Sequence, residues 1–376
     1  MRDKYIAWII GTGLVLFAIH NPSLTIYKDA HTAWFFLPAL GAQLAVMATV
    51  IYVIGNIRKL TLGSKWYWIP LAIIALSIVI SETIQYIQGN KEIGVFIGSC
   101  SFALFLFCIY LVARKVGQPI FVPFTYATII CSISCVVMTI ATHGQNKGGL
   151  ISPTNYDMAS GLLIFGALVT AWQHRWWVSS IALIGLAFIA APEAMFILGV
   201  LVVTMIIRRD WSKKILLPIG IMVFGVALLL VTNTGGIYDY TKYLIENGIK
   251  SFSATGQERD NLLNIALGYR WLTYWHLSPI QPFGYGYNVS QFYEGIPHNI
   301  MLIIIEQVGI IAAIAWLTLT LYAIIKTKWK YAFIGLLAMG VLDHYVWTQV
   351  APYWWVTIGV ASTTINNRPD YIFRQV

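Results

Sequence analysis

The chain has 376 residues, of which 58% are hydrophobic and only 10% are charged. Soluble domains carry about 25% charged residues, so this composition excludes an ordinary soluble protein and indicates a protein that crosses a membrane many times. The net charge of +9 does not indicate nucleic-acid binding, because basic residues collect in the cytoplasmic loops of membrane proteins.

Apolar runs predict an all-α, polytopic integral membrane protein with about twelve transmembrane helices, forming a single membrane domain over residues 1–376. The first run follows Arg2 and Lys4 as in a secretory signal, but no small-residue cleavage site follows it, so we expect a retained anchor. The two runs that flank Pro192 and Glu193 are predicted to form a short hairpin. The predicted spans are Tyr5–Ile19, Ala33–Ile54, Trp66–Ile80, Ile93–Val112, Ile120–Ile140, Ala159–Trp172, Trp177–Ala190, Ala194–Ile207, Ile215–Val231, Asn299–Ile325, Tyr331–Trp347 and Tyr353–Thr364.

The basic residues predict that both termini are cytoplasmic. With the N-terminus inside, the cytoplasmic loops hold 17 of the 24 Lys and Arg residues and the outer loops hold the other 7. This asymmetry is the positive-inside pattern of membrane proteins. The outer residues are Lys28, Lys91, Lys147, Lys242, Lys250, Arg259 and Arg270.

One outer loop, Thr232–Pro297, is much longer than an ordinary connection, which has a median of about 4–6 residues. The loop is rich in aromatic residues, which argues against disorder and suits an interfacial position. We therefore expect the extracytoplasmic segment 232–298 to fold back onto the outer membrane surface and to carry part of the active site.

The four cysteines favour neither a disulfide framework nor a metal site. All of them lie inside apolar runs, and the sequence contains no HExxH motif and no pair of CxxC motifs. We expect no metal and no other cofactor. The cysteines, interpreted as small core residues, are Cys100, Cys108, Cys131 and Cys135.

His298 and Asn299 stand where the chain is predicted to enter the membrane. The first turn of a helix has backbone N–H groups without partners and favours negative charge, so an anionic group is able to dock there. The alternative is that the two residues only cap the helix. Glu306 lies about two turns deeper, and an ionisable residue inside a span is a functional candidate by default.

Further polar residues are predicted on the same side of the membrane. Asp343 and His344 lie near the outer end of a later span, where the alternative is an interfacial position. Arg259 and Arg270 lie in the long loop, where they are candidates either for gripping a phosphate or for contacting lipid headgroups.

These residues resemble the O-antigen ligase and polymerase superfamily of membrane glycosyltransferases. The segment "PHNIMLIIIEQVGIIA" is similar to the family signature H-[NSQ]-x9-G-x-x-G, with Ala312 in place of the last glycine. The segment "YRWLTYWHLSPIQPFGYGYN" resembles R-x(3-4)-W followed by P-x-G-x-G. Two further stretches, "SPTNYDMASGLLIFG" and "LDHYVWTQ", resemble other family segments.

The resemblance implies a GT-C-like fold in the cytoplasmic (inner) membrane, with the active site outside. It implies transfer of a glycan from an undecaprenyl-diphosphate-type carrier to an acceptor hydroxyl, with a glycolipid or growing glycan as acceptor. Arg270 would stabilise the leaving diphosphate, and His298 would be the base, with Glu306 or His344 in reserve. The other implied substrate-binding residues are Asn155, Arg259, Trp275, Gly284, Gly286, Asn299 and Asp343.

Several functions are open from the sequence. An O-antigen ligase of lipopolysaccharide assembly is favoured over a polysaccharide polymerase of the same superfamily, and both over a protein O-oligosaccharyltransferase. A lipid-linked-glycan flippase is the alternative outside the transferase class. It would show repeated halves and charged or broken helices at the membrane midplane, whereas the polar residues here are concentrated in the second half of the chain, at the predicted outer edge. In every case the expected partners are lipid-linked glycans and membrane lipids, without nucleic acid.

Overall fold

The fold is described from a computed structural model of the chain. It describes residues 2–18, 36–144, 147–149, 156–173, 175–189, 200, 231, 237–266, 282–286, 299–327, 330–342, 347 and 351–363. Within these residues the regular structure is helical, and none of them forms a β-strand. The α-helices are α1 (Arg2–Ala18), α2 (Phe36–Asn56), α3 (Lys65–Ile87), α4 (Ile93–Val116), α5 (Val122–Ala141), α6 (Tyr156–Trp172), α7 (Trp176–Ile189), α8 (Ile237–Ser251), α9 (Gly256–Ala266), α10 (Ile300–Val308), α11 (Ile310–Lys326), α12 (Lys330–Leu342) and α13 (Ala351–Ala361).

Four helical stretches in the described part of the chain are long and apolar enough to cross a membrane: Leu40–Lys59, Lys65–Ile87, Ile93–Val116 and Gln118–Ala141. Their outward sides carry large apolar residues that are exposed, such as Leu104 and Ile130. On a soluble protein such surfaces are a liability, whereas a bilayer covers them. The predicted spans Ala194–Ile207 and Ile215–Val231 lie almost entirely outside the described residues, so the count of twelve stays a prediction.

The helices pack closely where small residues face each other. Helices α1 and α2 run antiparallel, with the Tyr52 hydroxyl donating to Asp3 at one end (3.0 Å) and Gly13 beside Gly41 near the other. A Cβ on Gly41 would lie 2.6 Å from the carbonyl oxygen of Gly13, so a larger residue would push the helices apart. Such small-residue contacts are typical of helices packed in membranes.

One end of the bundle is held together by the Arg114 guanidinium. Its Nε donates to the carbonyl of Thr61 at 3.1 Å, and Nη1 donates to Ser362 Oγ. These contacts join the end of α4 to the start of α3 and the end of α13. The same loops were assigned to the cytoplasm from their basic residues, and the side of the membrane that they face stays a prediction.

Three predicted span boundaries differ from the structure. The span Asn299–Ile325 is two helices, α10 and α11, because the backbone turns at Gly309, where φ is +92°. The span Trp66–Ile80 continues to Ile87, and the span Ile93–Val112 continues to Val116. The cysteines agree with their interpretation as unbonded residues: Cys131 and Cys135 are buried, and Cys100 and Cys108 are partly buried.

The long predicted loop contains helical structure. Helices α8 and α9 pack against each other as a hairpin, and residues 282–286 form a separate short segment against the end of α10. The rest of that loop lies outside the described residues, apart from Asn299 at its boundary with α10.

Candidate functional site

The glycine-rich segment 282–286 packs onto the C-terminal end of α10. The Tyr285 N–H donates to the carbonyl of Glu306 at 2.8 Å, and the Gly286 N–H donates to the carbonyl of Gln307 at 2.9 Å. The last carbonyls of a helix have no partner within it, so this segment satisfies groups that the break in the helix would otherwise leave exposed. Residues 282–286 and the end of α10 thus form one unit, which we call the junction.

Three glycines at the junction, Gly284, Gly286 and Gly309, have a left-handed backbone conformation, and the first and last of them also lie against another part of the backbone. Gly284 and Gly309 have φ values of +65° and +92°, which L-residues with side chains rarely adopt. A Cβ on Gly284 would lie 2.5 Å from the Gln307 carbonyl carbon, and a Cβ on Gly309 would collide with the carbonyl of Pro282. The two glycines therefore permit the backbones to touch.

Gln307 connects the junction to two other parts of the fold. Its carbonyl accepts a second hydrogen bond, from Ser81 Oγ of α3 at 2.8 Å. Its side-chain Oε1 accepts from the indole N–H of Trp347 at 2.9 Å. Both Gln307 and Trp347 are buried, so this hydrogen bond lies inside the fold.

A buried ion pair lies beside the junction. Lys91 Nζ is 2.5 Å from Glu82 Oε1, and their side chains are 6% and 0% exposed. A Cβ on Gly286 would lie 3.1 Å from Lys91 Nζ, so the glycine lets the ammonium approach the segment. Sequence reasoning missed this pair, because Lys91 was counted as a loop charge and Glu82 fell beyond the predicted end of its span. The sequence signal for this pair was Glu82, just beyond the predicted end of the span, followed nine residues later by Lys91.

Asn299 caps α10 and also reaches another helix. Its Oδ1 accepts from the N–H groups of Met301 and Leu302 at 3.0 and 3.1 Å. Its Nδ2 donates to the carbonyl of Val341 in α12 at 2.9 Å. The capping alternative is therefore correct for Asn299. Because Asn299 already occupies these N–H groups, the start of α10 is not an open anion site, and a phosphate there would have to be held by side chains.

Glu306 has unused hydrogen-bonding capacity. Both carboxylate oxygens are inaccessible, and neither has a hydrogen-bond partner among the described residues. The side chain lies on the partly buried side of α10 that it shares with Leu302 and Ile305. A carboxylate accepts hydrogen bonds when ionised, so Glu306 would receive one from a hydroxyl only after one of its oxygens becomes accessible.

Arg259 lies apart from the junction. It is on the exposed surface of α9, with its side chain 55% exposed and its Nε 3.7 Å from Asp260 Oδ1. An exposed pair with this geometry contributes little to stability and leaves the guanidinium accessible. Among the described residues, no hydrogen bond or ion pair joins it to Asn299 or Glu306.

The remaining predicted site residues lie outside the described residues. Some are close in the chain to the Asn299–Val341 contact at the start of α10: His298 precedes Asn299, and Asp343 and His344 follow Val341 by two and three positions. No group of three or more His, Cys, Asp or Glu residues that could hold a metal occurs in the described part of the chain, and the absence of a metal stays a prediction. The predicted site residues outside the described part are Asn155, Arg270, Trp275, His298, Asp343 and His344.

The fold and its apolar surfaces define a helical membrane protein with a polar, glycine-dependent junction. No protein-family model, no curated protein and no solved structure matches the chain. The function is therefore argued from the site.

Proposed function

We propose that the protein is an O-antigen ligase-like membrane glycosyltransferase of the cytoplasmic membrane. It would transfer a glycan from an undecaprenyl-diphosphate-type carrier to an acceptor hydroxyl on the extracytoplasmic face, without metal or other cofactor. The acceptor would be a glycolipid or a growing glycan of the cell envelope.

One observation carries the proposal: segments that resemble the family separately in sequence are in contact. The Pro282–Gly284–Gly286 segment packs against Gly309 and the end of α10. Trp347, from the segment near the C-terminus, hydrogen-bonds Gln307 in the same place. A shared functional site explains why these motifs, which are far apart in sequence, are in contact. Insertion into a membrane does not by itself require that contact.

The chemistry follows from the charges that change. The acceptor oxygen attacks the anomeric carbon of the glycan, and the bond from that carbon to the diphosphate oxygen breaks. The acceptor proton passes to a base, for which His298 is the first candidate and Glu306 the second. The leaving diphosphate gains negative charge, which Arg270 would stabilise, with Arg259 as the second candidate.

The surroundings of Glu306 support its proposed role at the acceptor hydroxyl. Its backbone is fixed by the Tyr285 N–H, while its carboxylate oxygens have no donor among the described residues. A carboxylate on a fixed backbone position is suited to positioning an acceptor hydroxyl once an oxygen is accessible, and positioning of this kind accounts for much of the catalysis of bimolecular reactions.

The test is glycan transfer by the purified protein in liposomes, with a lipid-diphosphate-linked glycan as donor. His298→Ala and Glu306→Gln are each expected to lower the rate by about 10²–10⁴-fold if the residue is the base. Arg270→Ala is expected to lower it by about 10²–10³-fold. Glu246→Gln is the matched control for Glu306→Gln, because Glu246 is an exposed carboxylate on α8.

The control is expected to leave the rate unchanged, and all variants should insert normally. Full activity of both His298→Ala and Arg270→Ala would refute the proposed site. The glycan profile of mutant cells separates the transferase alternatives. A ligase defect leaves long glycan on the carrier, a polymerase defect leaves single repeat units, and a protein O-oligosaccharyltransferase defect leaves protein unglycosylated.

A flippase is the second candidate, and the broken helix favours it. Gly309 lies ten residues after Asn299, about 15 Å along a helix, so it would lie near the middle of a hydrocarbon core of about 30 Å with Asn299 at the predicted membrane boundary. Helices broken at this depth are typical of transporters. A flippase would move a fluorescent lipid-linked glycan across liposomes without forming a glycosidic bond, so the same preparation distinguishes the two functions.

A further inference from the structure

Helix α8 has an exposed apolar stripe. Tyr238, Ile245 and Ile249 lie along one side of the helix, at positions i, i+7 and i+11, and Phe252 continues the stripe directly after the last turn. These side chains are 50%, 56%, 63% and 91% exposed. Several large apolar residues at helical spacing are thus exposed together.

The side of α8 opposite the stripe includes buried polar residues. Asn247 and Ser251 are 8% and 3% exposed, and they lie roughly half a turn away from the stripe. Their side chains donate to carbonyls of the same helix, those of Tyr243 and Gly248. The large apolar residues of the stripe are therefore more exposed than Asn247 and Ser251, whereas a surface helix usually buries its apolar side.

A third side of the helix carries charges. Asp239, Glu246 and Lys250 follow one another at helical spacing, about a quarter of a turn from the stripe. Lys242 lies between this charged side and the apolar stripe, with its side chain 58% exposed. A basic residue at the edge of an apolar stripe is typical of helices that lie in a membrane surface, where its stem contacts lipid and its ammonium reaches the headgroups.

The chain brings α8 close to the membrane. Helix α8 begins six residues after Val231, which is the last residue of the predicted span Ile215–Val231. Six extended residues cover at most about 20 Å, so the helix begins near the end of that apolar segment. The segment that precedes α8 is predicted to lie in the membrane, so a lipid surface is expected near the start of α8.

We propose that α8 is an interfacial helix that inserts Tyr238, Ile245, Ile249 and Phe252 into the boundary between the headgroups and the acyl chains of a phospholipid bilayer. The charged side then faces water and the polar side packs within the hairpin. Such helices insert about 5–10 Å. In this role α8 attaches the α8–α9 hairpin to the membrane. The role is the same whether the protein is a glycosyltransferase or a flippase.

The test is nitroxide labelling of the full chain in phosphatidylcholine–phosphatidylglycerol liposomes. Single cysteines replace Ile249, Phe252 and Glu246 in a protein whose four native cysteines are alanine. The labels at 249 and 252 are expected to be accessible to oxygen and protected from a water-soluble nickel chelate. The label at 246, on the charged side, is the matched control and should show the opposite.

Free access of the nickel chelate to the labels at both 249 and 252 would overturn the proposal. So would dipolar broadening that disappears on dilution with unlabelled protein, because it would indicate a second copy on the stripe. If the cysteine-free protein does not fold, a benzophenone amino acid at position 252 of the native chain gives the same answer. Lipid adducts after illumination support the proposal, and adducts to protein alone overturn it.

Discussion

The junction and the α8–α9 hairpin satisfy their polar groups in opposite ways. In the junction, backbone and side-chain groups from α3, α10 and residues 282–286 pair with one another in a buried place. In α8, the buried polar side chains bond only to their own helix, and large apolar residues are exposed. The junction is therefore stabilised by contacts distant in sequence, whereas the outer surface of the hairpin depends on what surrounds the protein. The following experiments test this difference.

The largest effect is expected for Lys91→Met. The substitution removes the ion-pair partner of Glu82 inside the fold, and breaking a buried pair from one side costs about 3–5 kcal/mol. The measurement is thermal unfolding in detergent. The double variant Glu82→Gln with Lys91→Met should recover part of the loss, because no unpaired charge is left behind. If the single variant were as stable as the native protein, the pair would not support the junction.

Gly309→Ala is expected to destabilise the protein by about 1–3 kcal/mol from backbone strain, and further by the collision with Pro282. The matched control is Gly98→Ala inside α4, where a Cβ meets no atom within 4 Å. That control should be neutral or stabilising by about 0.5–1 kcal/mol, because alanine favours a helix. Equal effects of the two substitutions would contradict the need for glycine at the break.

Ser81→Ala is expected to cost about 1 kcal/mol, because it removes one hydrogen bond to the Gln307 carbonyl. That carbonyl keeps its bond from the Gly286 N–H, which limits the loss. Thr83→Ala is the control, since Thr83 donates only within α3, to Val79. Glycan transfer should fall more in the Ser81 variant than in the Thr83 variant. A larger loss of glycan transfer in the Thr83 variant would show that the Ser81–Gln307 hydrogen bond does not contribute to function.

The smallest effect on stability is expected for Ile249→Asn in α8. The side chain is exposed, so its replacement should change the free energy of unfolding in detergent by less than about 0.5 kcal/mol. In liposomes the same variant should weaken attachment of the hairpin, measured as faster proteolysis between α8 and α9. Strong destabilisation in detergent would show that protein rather than lipid covers the stripe.

The sequence predicted the apolar core of each described span better than its ends. The span predicted from hydropathy ends at Ile80 because Glu82 and Gln85 are polar, yet both residues are buried within α3. Polarity marks a helix end only when the side chain meets water, and here it meets other polar groups. Hydropathy also could not reveal the break at Gly309, because a glycine within an apolar run leaves the average unchanged.

The candidate site was predictable in part. Gly284 and Glu306 are predicted site residues that the structure places in the junction, and Asn299 is one that it places at the other end of α10, as the cap of that helix. Ser81 was not predicted, since its importance depends on its contact with Gln307, which is more than 200 positions away in the chain. A pairing over such a distance leaves no local pattern in a single sequence.

The hydrogen bonds of Gln307 to Ser81 and Trp347 have a consequence for biosynthesis. Translation proceeds from the N-terminus, so Ser81 enters the membrane long before Gln307 and Trp347 have been made. The early helices therefore insert before their tertiary contacts are complete, and the contact at Gln307 forms only after the last part of the chain has been synthesised. A ribosome that stops before Trp347 would release a protein that is anchored in the bilayer yet lacks this closure, and quality-control proteases are expected to remove it.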